Sequence, residues 1–283
     1  MTRTIVVPRG ACDTHIHVYR KGAQTVPDAI AAPEEDDVES YRAVRDALGL
    51  TRAVIVQPTA YGTDNSVTAD GIVALGRRDT RGVAVVDDSV SEKTLRDLTD
   101  SGFCGARFQM LAGGVIPWDQ LDTIANRVHD FDWHVQLQMD GHNLPDREAQ
   151  ILSWPGRIVI DHIGKFLEPV EPDHHAFQCL LRLIDTGRVW VKLSAPYEVS
   201  RIGEPRYNDV SALAKALVAH APERMMWASN WPHIMTTPRP DDGKMLELLQ
   251  DWAPDASLQR RILCENPQKV YGFEPVLADA TPA

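Results

Sequence analysis

Three histidines follow short apolar runs of the sequence, at positions where their imidazole rings could act together on one substrate. His15 and His17 form an H-x-H pair at the end of residues 11–17, and His162 comes directly after residues 157–161. If 11–17 is a strand, its side chains alternate between two faces, so both rings of the pair lie on one face. Converging imidazoles can ligate a metal ion or polarise a carbonyl group. The alternative interpretation is that these histidines form hydrogen bonds within a core or a loop and have only a structural role.

Several other polar residues suit the binding of an anionic, hydroxylated ligand. Arg107 has a planar guanidinium that matches a carboxylate in a bidentate manner, although a salt bridge to an acidic neighbour explains it equally well. The amides of Gln109 and Gln138 could bind hydroxyl groups, and Asn65 could do so or could cap a helix. Further candidates for substrate binding are Tyr61, Tyr197 and His233.

The segments that carry these residues repeat one pattern along nearly the whole chain. Eight short apolar runs alternate with stretches in which apolar residues recur at helical spacing, as Val38, Tyr41 and Val44 do. Eight such units indicate an α/β fold, a (β/α)8 barrel of the TIM type, whose active site lies at the carboxyl ends of its strands. The rival, a doubly wound open sheet, is disfavoured because no G-x-G-x-x-G or P-loop motif follows an early strand. The predicted strands are residues 11–17, 52–57, 82–86, 103–108, 133–138, 157–161, 188–193 and 224–228.

The length and composition of the chain agree with one globular unit. The 283 residues are 43% hydrophobic and 24% charged, and α/β barrels commonly occupy about 250 residues as one domain. We therefore predict a single domain over residues 1–283, with a core at about 10–272 and a loosely attached C-terminal tail.

The charge and the cysteine content exclude several classes of partner. The net charge of −11 argues against binding to nucleic acid or to an anionic membrane, because both require a basic surface. The four cysteines form no C-x-x-C pair, so a zinc knuckle or a disulfide framework is not expected. No apolar run reaches the length of a membrane span or a signal peptide. The sequence thus predicts a cytoplasmic protein with a small-molecule partner, and it leaves the oligomeric state open.

Taken together, the motifs resemble those of the amidohydrolase superfamily. The resemblance rests on H-x-H at the first strand, D-H-x-G at the sixth (161–164), and W-x-(S/T)-(D/N)-W-P-H at the eighth (227–233). Within the superfamily the chain is similar to the lactone-acting subgroup of 2-pyrone-4,6-dicarboxylate lactonase and D-galactarolactone isomerase, which segments 62–65 and 105–108 also match. The similarity covers roughly residues 10–272, and it implies an anionic lactone as the substrate.

One position within these motifs separates two reactions. In the lactonase, the resemblance implies a strand-eight aspartate that takes a proton from water while histidines polarise the carbonyl; here the position is Asn230. An amide is not a base near neutral pH, so water attack should be slow, whereas a hydroxyl on the substrate has an effective molarity of about 10⁵ M or more. The resemblance is therefore closer to the isomerase, and it implies conversion of a 1,5-lactone to a 1,4-lactone with His15, His17, His162 and Asn230 as catalytic residues. Lactone hydrolysis is the alternative, with water activated by another base or by a metal, or with Asn230 an engineered replacement of aspartate.

The same comparison bears on metal binding. Metal-dependent relatives add a lysine or glutamate on strand four, a histidine on strand five and an aspartate on strand eight, and this sequence has none of them at those positions. Catalytic zinc is usually held by three strong ligands with oriented partners. We therefore expect no required cofactor, and we expect His15, His17 and His162 to be the ligands if zinc binds.

Overall fold

Eight parallel strands lie side by side in sequence order in the computed structural model, which describes residues 5–27, 29–33, 35–234 and 236–275. Every predicted strand is present, with each end within two residues of its predicted position. The (β/α)8 fold predicted from the alternating pattern is therefore confirmed. The strands are β1 (Cys12–Ile16), β2 (Arg52–Val56), β3 (Thr80–Ala84), β4 (Phe103–Gln109), β5 (His134–Gln138), β6 (Ile158–Ile160), β7 (Val189–Leu193) and β8 (Met225–Trp227).

The barrel closes between β1 and the segment that follows β8. The backbone N–H of His17 donates to the carbonyl of Trp231 at 2.9 Å, and the N–H of Asn230 donates to the carbonyl of His15 at 3.0 Å. The buried carboxylate of Asp13 accepts the N–H of Ser229 at 2.9 Å and its hydroxyl at 2.5 Å. These bonds fix the H-x-H pair and Asn230 against each other as part of the closure itself.

Helices cover the outside of the sheet and bury their apolar faces against it. Ser91 begins one helix by accepting the N–H of Thr94 at 3.0 Å, and Asp37 begins another by accepting the N–H of Ser40 at 2.9 Å, as N-cap residues do. The helices are α1 (Val38–Ala47), α2 (Ser66–Leu75), α3 (Glu92–Asp100), α4 (Leu121–His129), α5 (Leu144–Ser153), α6 (His175–Asp185), α7 (Asn208–His220), α8 (Asp242–Trp252), α9 (Ala256–Arg260) and α10 (Asn266–Tyr271).

The C-terminal residues continue the packing for a short distance. Phe273 is buried, with the guanidinium groups of Arg52 and Arg81 about 5 Å from its ring centroid. The rest of the predicted loose tail, residues 276–283, lies outside the described residues. Among the described helices, none has both the length and the apolar character needed to cross a membrane.

Candidate active site

A pocket opens at the carboxyl ends of the strands, where barrels of this type hold their active sites. Apolar side chains, among them Ile30, Pro58 and Ile234, form part of its wall. The polar lining comes from the ends of β1, β2, β4, β5, β6, β7 and β8 and consists of His17, Tyr19, Thr59, Arg107, Gln109, Gln138, His162, Glu198 and Asn230.

The backbone around this pocket is strained. Among the described residues, eight that are not glycine have a positive φ angle, a conformation that side chains other than glycine rarely adopt. Strain of this kind concentrates at functional sites, where the surrounding structure holds it in place. Six of the eight follow β6, β7 or β8 at the rim of the pocket: His162, Ile163, Lys165, Ala195, Asn230 and His233.

The three predicted histidines come together in the barrel mouth. The ring centroids of His15 and His17 are 4.9 Å apart, as are those of His15 and His162. Nδ1 of His17 lies 2.8 Å from the carbonyl oxygen of Val56, which can only accept, so Nδ1 carries the proton and Nε2 has a lone pair. Nε2 of His15 donates to that lone pair at 3.3 Å. Since burial lowers the pKa of His17 to about 3, its neutral ring offers an acceptor rather than the donor expected for polarising a carbonyl.

Beneath the histidines lies a fully buried lysine that the sequence did not single out. Lys192 Nζ donates to Gln136 Oε1 at 2.7 Å and lies 3.3 Å from His15 Nδ1 and 3.4 Å from Asp161 Oδ1. Burial lowers the pKa of Lys192 to about 8, against the opposing charge of Asp161. Burial alone would raise the pKa of Asp161, but Lys192 holds it below its usual value. The available signal was a lysine inside the apolar run VWVKL, where a charged residue needs a partner.

These contacts involve the residues that could ligate a metal ion. His15, Asp161 and His162 place possible ligand atoms within 4.8 Å of one another, a set that differs from the predicted trio by having Asp161 in place of His17. The Lys192 ammonium already contacts His15 and Asp161, and it requires His15 Nδ1 to accept, so that His15 Nε2 carries a proton. The Lys192 ammonium therefore contacts two of the three possible ligands.

Arg107 brings a second buried cation to the pocket. Its guanidinium donates to the carbonyl of Gln57 at 2.8 Å and to Oε1 of Gln138 at 3.3 Å, and its Nε has no hydrogen-bond partner. Among the described residues, no carboxylate lies within 4 Å of it, so the salt bridge considered from the sequence is not formed. A buried guanidinium that lacks an ion pair and lines a pocket is suited to an anionic ligand.

Asn230 faces the pocket with its amide nitrogen fully engaged. Nδ2 donates to the hydroxyl of Tyr197 at 2.9 Å and to Glu198 Oε1 at 3.0 Å. The Tyr197 hydroxyl in turn donates to His233 Nδ1 at 2.8 Å, and His233 Nε2 donates to Asp242 at 2.9 Å. Tyr197 and His233, both predicted to bind substrate, therefore lie behind the pocket wall and hold Asn230. Glu198 lines the pocket. The sequence offers its carboxylate shortly after an apolar run but does not single it out as a site residue.

Two other predicted binding residues are used elsewhere in the structure. The amide of Asn65 donates to the carbonyls of Thr63 and Val85 and accepts the N–H of Val85, which ties the segment before α2 to the end of β3. The hydroxyl of Tyr61 accepts the N–H of Arg20 at 3.1 Å. Neither residue lines the pocket. Arg107, Gln109 and Gln138 do line it, and their binding of substrate stays a prediction.

The buried histidines predict a steep loss of stability in acid. Burial holds the pKa of His17 and His134 at about 3 and the pKa of His15 and His162 well below the usual value, whereas the unfolded chain protonates histidine near pH 6.5. At a pH between the folded and the unfolded pKa values, unfolding therefore takes up one proton at each of the four histidines. Asp13, whose pKa is raised to about 6, is protonated in the folded protein and releases one proton on unfolding. The free energy of unfolding is highest above pH 6.5 and should fall by about 4 kcal/mol per pH unit below pH 6.

Urea denaturation at pH 7.5, 6.5 and 5.5 measures this slope. His134 lies outside the pocket, and its ring is buried on β5, so His134→Gln should lower the slope by about one proton, or about 1.4 kcal/mol per pH unit. Equal stability of the wild-type protein at pH 7.5 and pH 5.5 would show that the buried rings are not held neutral.

Comparison with known proteins places the chain among lactone-acting enzymes by similarity. A family model described as amidohydrolase matches residues 12–273. The chain is 37% identical to D-galactarolactone isomerase of Agrobacterium fabrum, over 96% of this chain and 94% of that protein. It is 32% identical to a 2-pyrone-4,6-dicarboxylate hydrolase of Comamonas testosteroni, over 95% of this chain and 92% of that protein.

Solved structures extend the comparison. The fold matches an apo crystal structure from Agrobacterium tumefaciens with a TM-score of 0.90 and 37% identity, covering 95% of this chain and 98% of that one. It matches a probable 2-pyrone-4,6-dicarboxylic acid hydrolase of Acinetobacter baumannii, solved with bound citric acid, with a TM-score of 0.83 and 25% identity, covering 93% and 100%. Both matches extend over the whole barrel.

Proposed function

We infer that this chain, which belongs to the amidohydrolase family, is an enzyme that acts on lactones. Relatives that cover more than nine-tenths of it at 32–37% identity are named as a lactone isomerase or as hydrolases of lactone substrates. The substrate is therefore a small molecule. The buried guanidinium of Arg107, which has no carboxylate within 4 Å among the described residues, favours a lactone that carries a carboxylate group. Binding of citric acid by the Acinetobacter relative agrees with a preference for anions.

The reaction that the pocket supports best is isomerisation of a sugar-acid lactone. A hydroxyl oxygen at C4 attacks the carbonyl carbon, the bond from that carbon to the ring oxygen at C5 breaks, and the proton lost from O4 is returned to O5. With D-galactaro-1,5-lactone as the substrate, the product is D-galactaro-1,4-lactone, and no water is consumed. We assign His162 to the carbonyl oxygen: Ser194, whose hydroxyl lies 2.8 Å from His162 Nδ1, donates to that nitrogen and leaves Nε2–H to donate to the substrate.

The observation that carries this proposal is the amide of Asn230 in the pocket wall. Its nitrogen is held by Tyr197 and Glu198, so the strand-eight position presents no base to a water molecule. A hydroxyl that is already part of the bound substrate needs less help, because its effective molarity exceeds the roughly 55 M concentration of water by orders of magnitude.

Hydrolysis is the second candidate. It is favoured by the hydrolase names of the 32% identical relatives and by one feature of the site. The Glu198 carboxylate lines the pocket and could take a proton from water as well as from a hydroxyl. Incubation of D-galactaro-1,5-lactone with the enzyme, followed by NMR, separates the two. Accumulation of the 1,4-lactone supports isomerisation; direct opening to the diacid supports hydrolysis; no conversion of the lactone contradicts both.

Asn230→Asp should shift the enzyme from isomerisation toward hydrolysis. The new carboxylate would lie beside Glu198 and share one proton with it, so that one of the two stays ionised and a base becomes available at the strand-eight position. General base catalysis of water attack is worth about 10²–10⁴ in rate. The ratio of diacid to 1,4-lactone, measured by NMR at early times, should rise at least tenfold. Asn230→Ser, which removes the amide without adding a base, is the matched control and should leave the ratio unchanged. An unchanged ratio in the aspartate variant would mean that this position does not select the nucleophile.

A further inference from the structure

We propose that Glu198 is the base that moves the proton during lactone isomerisation, in place of the missing strand-eight carboxylate. This inference rests on the proposed function and assigns a residue to the proton that the reaction must carry. It depends on three features of the site: the position of Glu198, the groups that orient it, and the hydrogen bonds and ion pairs that the neighbouring carboxylates form elsewhere.

Glu198 stands in the pocket between two donors. It follows β7 and lines the pocket together with His162 and Asn230. Oε1 accepts from Asn230 Nδ2 at 3.0 Å, and Oε2 forms an ion pair with the ammonium of Lys165. An amide nitrogen and an ammonium can only donate, so both contacts favour the ionised carboxylate and fix its direction. Each oxygen retains a lone pair for a substrate hydroxyl.

The identity of residue 230 agrees with this assignment. An aspartate there would bring a second carboxylate to about the same 3.0 Å separation from Glu198 that Asn230 Nδ2 has. Two carboxylates this close cannot both stay ionised, and the pKa of one of them rises strongly. The amide removes this repulsion and replaces it with a hydrogen bond. Asn230 is thus a positioning residue for Glu198, because its amide donates to the carboxylate instead of repelling it.

The other carboxylates near the barrel mouth have different partners. Asp13 is fully buried and is bound by Ser229 in the barrel closure. Asp161 is fully buried beneath the histidines, next to Lys192, and Asp242 lies behind His233. Within the described parts of the chain, Glu198 is the carboxylate that lines the pocket.

A single carboxylate suffices for the proton balance of this reaction. Glu198 takes the proton from O4 as that oxygen forms its bond to the carbonyl carbon. The carbonyl carbon then carries both O4 and O5 in a tetrahedral intermediate. When the bond to O5 breaks, the protonated Glu198 gives its proton to O5. Over the whole reaction, the enzyme and the substrate together gain no proton and lose none, as an isomerisation requires.

The test compares the wild-type enzyme with Glu198→Gln and Glu198→Ala, and measures conversion of D-galactaro-1,5-lactone by NMR. Loss of a general base should lower kcat about 10²–10⁴-fold with little change in KM, because the anionic group of the substrate is held elsewhere by Arg107. Formate, a small carboxylate that fits the space left in Glu198→Ala, should restore part of kcat, whereas chloride should not. Glu168→Gln, which changes a largely exposed carboxylate paired with Arg201, is the control and should keep the wild-type kcat.

The outcomes separate this inference from the proposed function. Conversion by the wild-type enzyme, together with loss in Glu198→Gln and rescue of Glu198→Ala by formate, supports the assignment. Conversion by the wild-type enzyme together with a Glu198→Gln kcat within threefold of the Glu168→Gln control overturns it and leaves the lactone reaction standing. A loss that formate does not rescue also overturns it, since the carboxylate would then serve only the structure. If the wild-type enzyme leaves the lactone unchanged, the proposed function fails and this inference fails with it.

Discussion

Replacement of Arg107 by methionine is expected to raise the KM for an anionic lactone at least 30-fold, with a much smaller change in kcat. The guanidinium is buried, bonded to Gln57 and Gln138, and without a carboxylate partner among the described residues. Truncation of one member of a buried, hydrogen-bonded charge pair costs about 2–5 kcal/mol, and each 1.4 kcal/mol is about a factor of ten in affinity. Steady-state kinetics on the purified variant measure the effect.

Two controls show whether the charge of the ligand is what Arg107 recognises. Arg107→Lys keeps the charge but loses the planar fork, so its KM should fall between those of the wild-type protein and Arg107→Met. A lactone whose carboxylate is masked as a methyl ester should bind the wild-type protein and Arg107→Met about equally. If the methionine variant lost affinity for the ester as strongly as for the acid, Arg107 would support the pocket rather than bind the anion.

Replacement of Lys192 by methionine is expected to destabilise the protein by about 3–5 kcal/mol, the usual cost of leaving one member of a buried ion pair without its partner. Lys192 and Asp161 are both fully buried, with Nζ 3.4 Å from the carboxylate. Without the lysine, Asp161 keeps the hydrogen bond from Gln136 and the neutral ring of His15, whose Nδ1 lies 3.4 Å from Oδ1. Neither group carries a compensating charge. Urea denaturation at pH 7 measures the loss.

The double variant Lys192→Met with Asp161→Asn tests the reason for that loss. It removes both charges and leaves an amide that can still bond to Gln136, so it should recover at least half of the stability lost in the single variant. A double variant as unstable as the single one would show that packing of the lysine stem, rather than charge balance, is what the core needs.

Much of the fold could be predicted from the sequence because it depends on local patterns. Strands buried on both faces, such as VWVKL and RAVIV, are mostly apolar apart from one basic residue each, and the helices show apolar residues at helical spacing. The weakest match is β3, which lies at Thr80–Ala84 rather than at residues 82–86. The apolar run continues past the end of the strand, where Val85 and Val86 are buried. An apolar composition therefore indicates burial of the side chains, and it does not show where strand pairing ends.

The site was predictable where a residue follows a strand directly, and less so elsewhere. His17, Arg107, Gln138 and His162 stand at strand ends, and the barrel geometry brings them together. Asn65 and Tyr61 also follow a strand, but loop bonding turns them away, and no periodic pattern encodes that choice. Hydrogen-bond and ion-pair partners that other strands supply leave no periodic pattern in the sequence either.

Lys192 and Glu198 show why such partners escape sequence reasoning. The role of Lys192 depends on Gln136 and Asp161, which lie 56 and 31 residues away in the sequence, and that of Glu198 depends on Asn230 and Lys165. Each side chain is ordinary on its own. Only the closed barrel shows that Lys192 contacts His15 and Asp161 and that Glu198 accepts a hydrogen bond from Asn230.

The central claim is that the nucleophile belongs to the substrate and not to the solvent. Running the reaction on D-galactaro-1,5-lactone in H2¹⁸O and analysing the early product by mass spectrometry tests it directly. Transfer of the acyl carbon from O5 to O4 uses only oxygens of the substrate, so the 1,4-lactone should form at the enzymatic rate with no ¹⁸O above the background of the uncatalysed reaction. Incorporation of one solvent oxygen into the main product at that rate would contradict the account and identify the enzyme as a hydrolase.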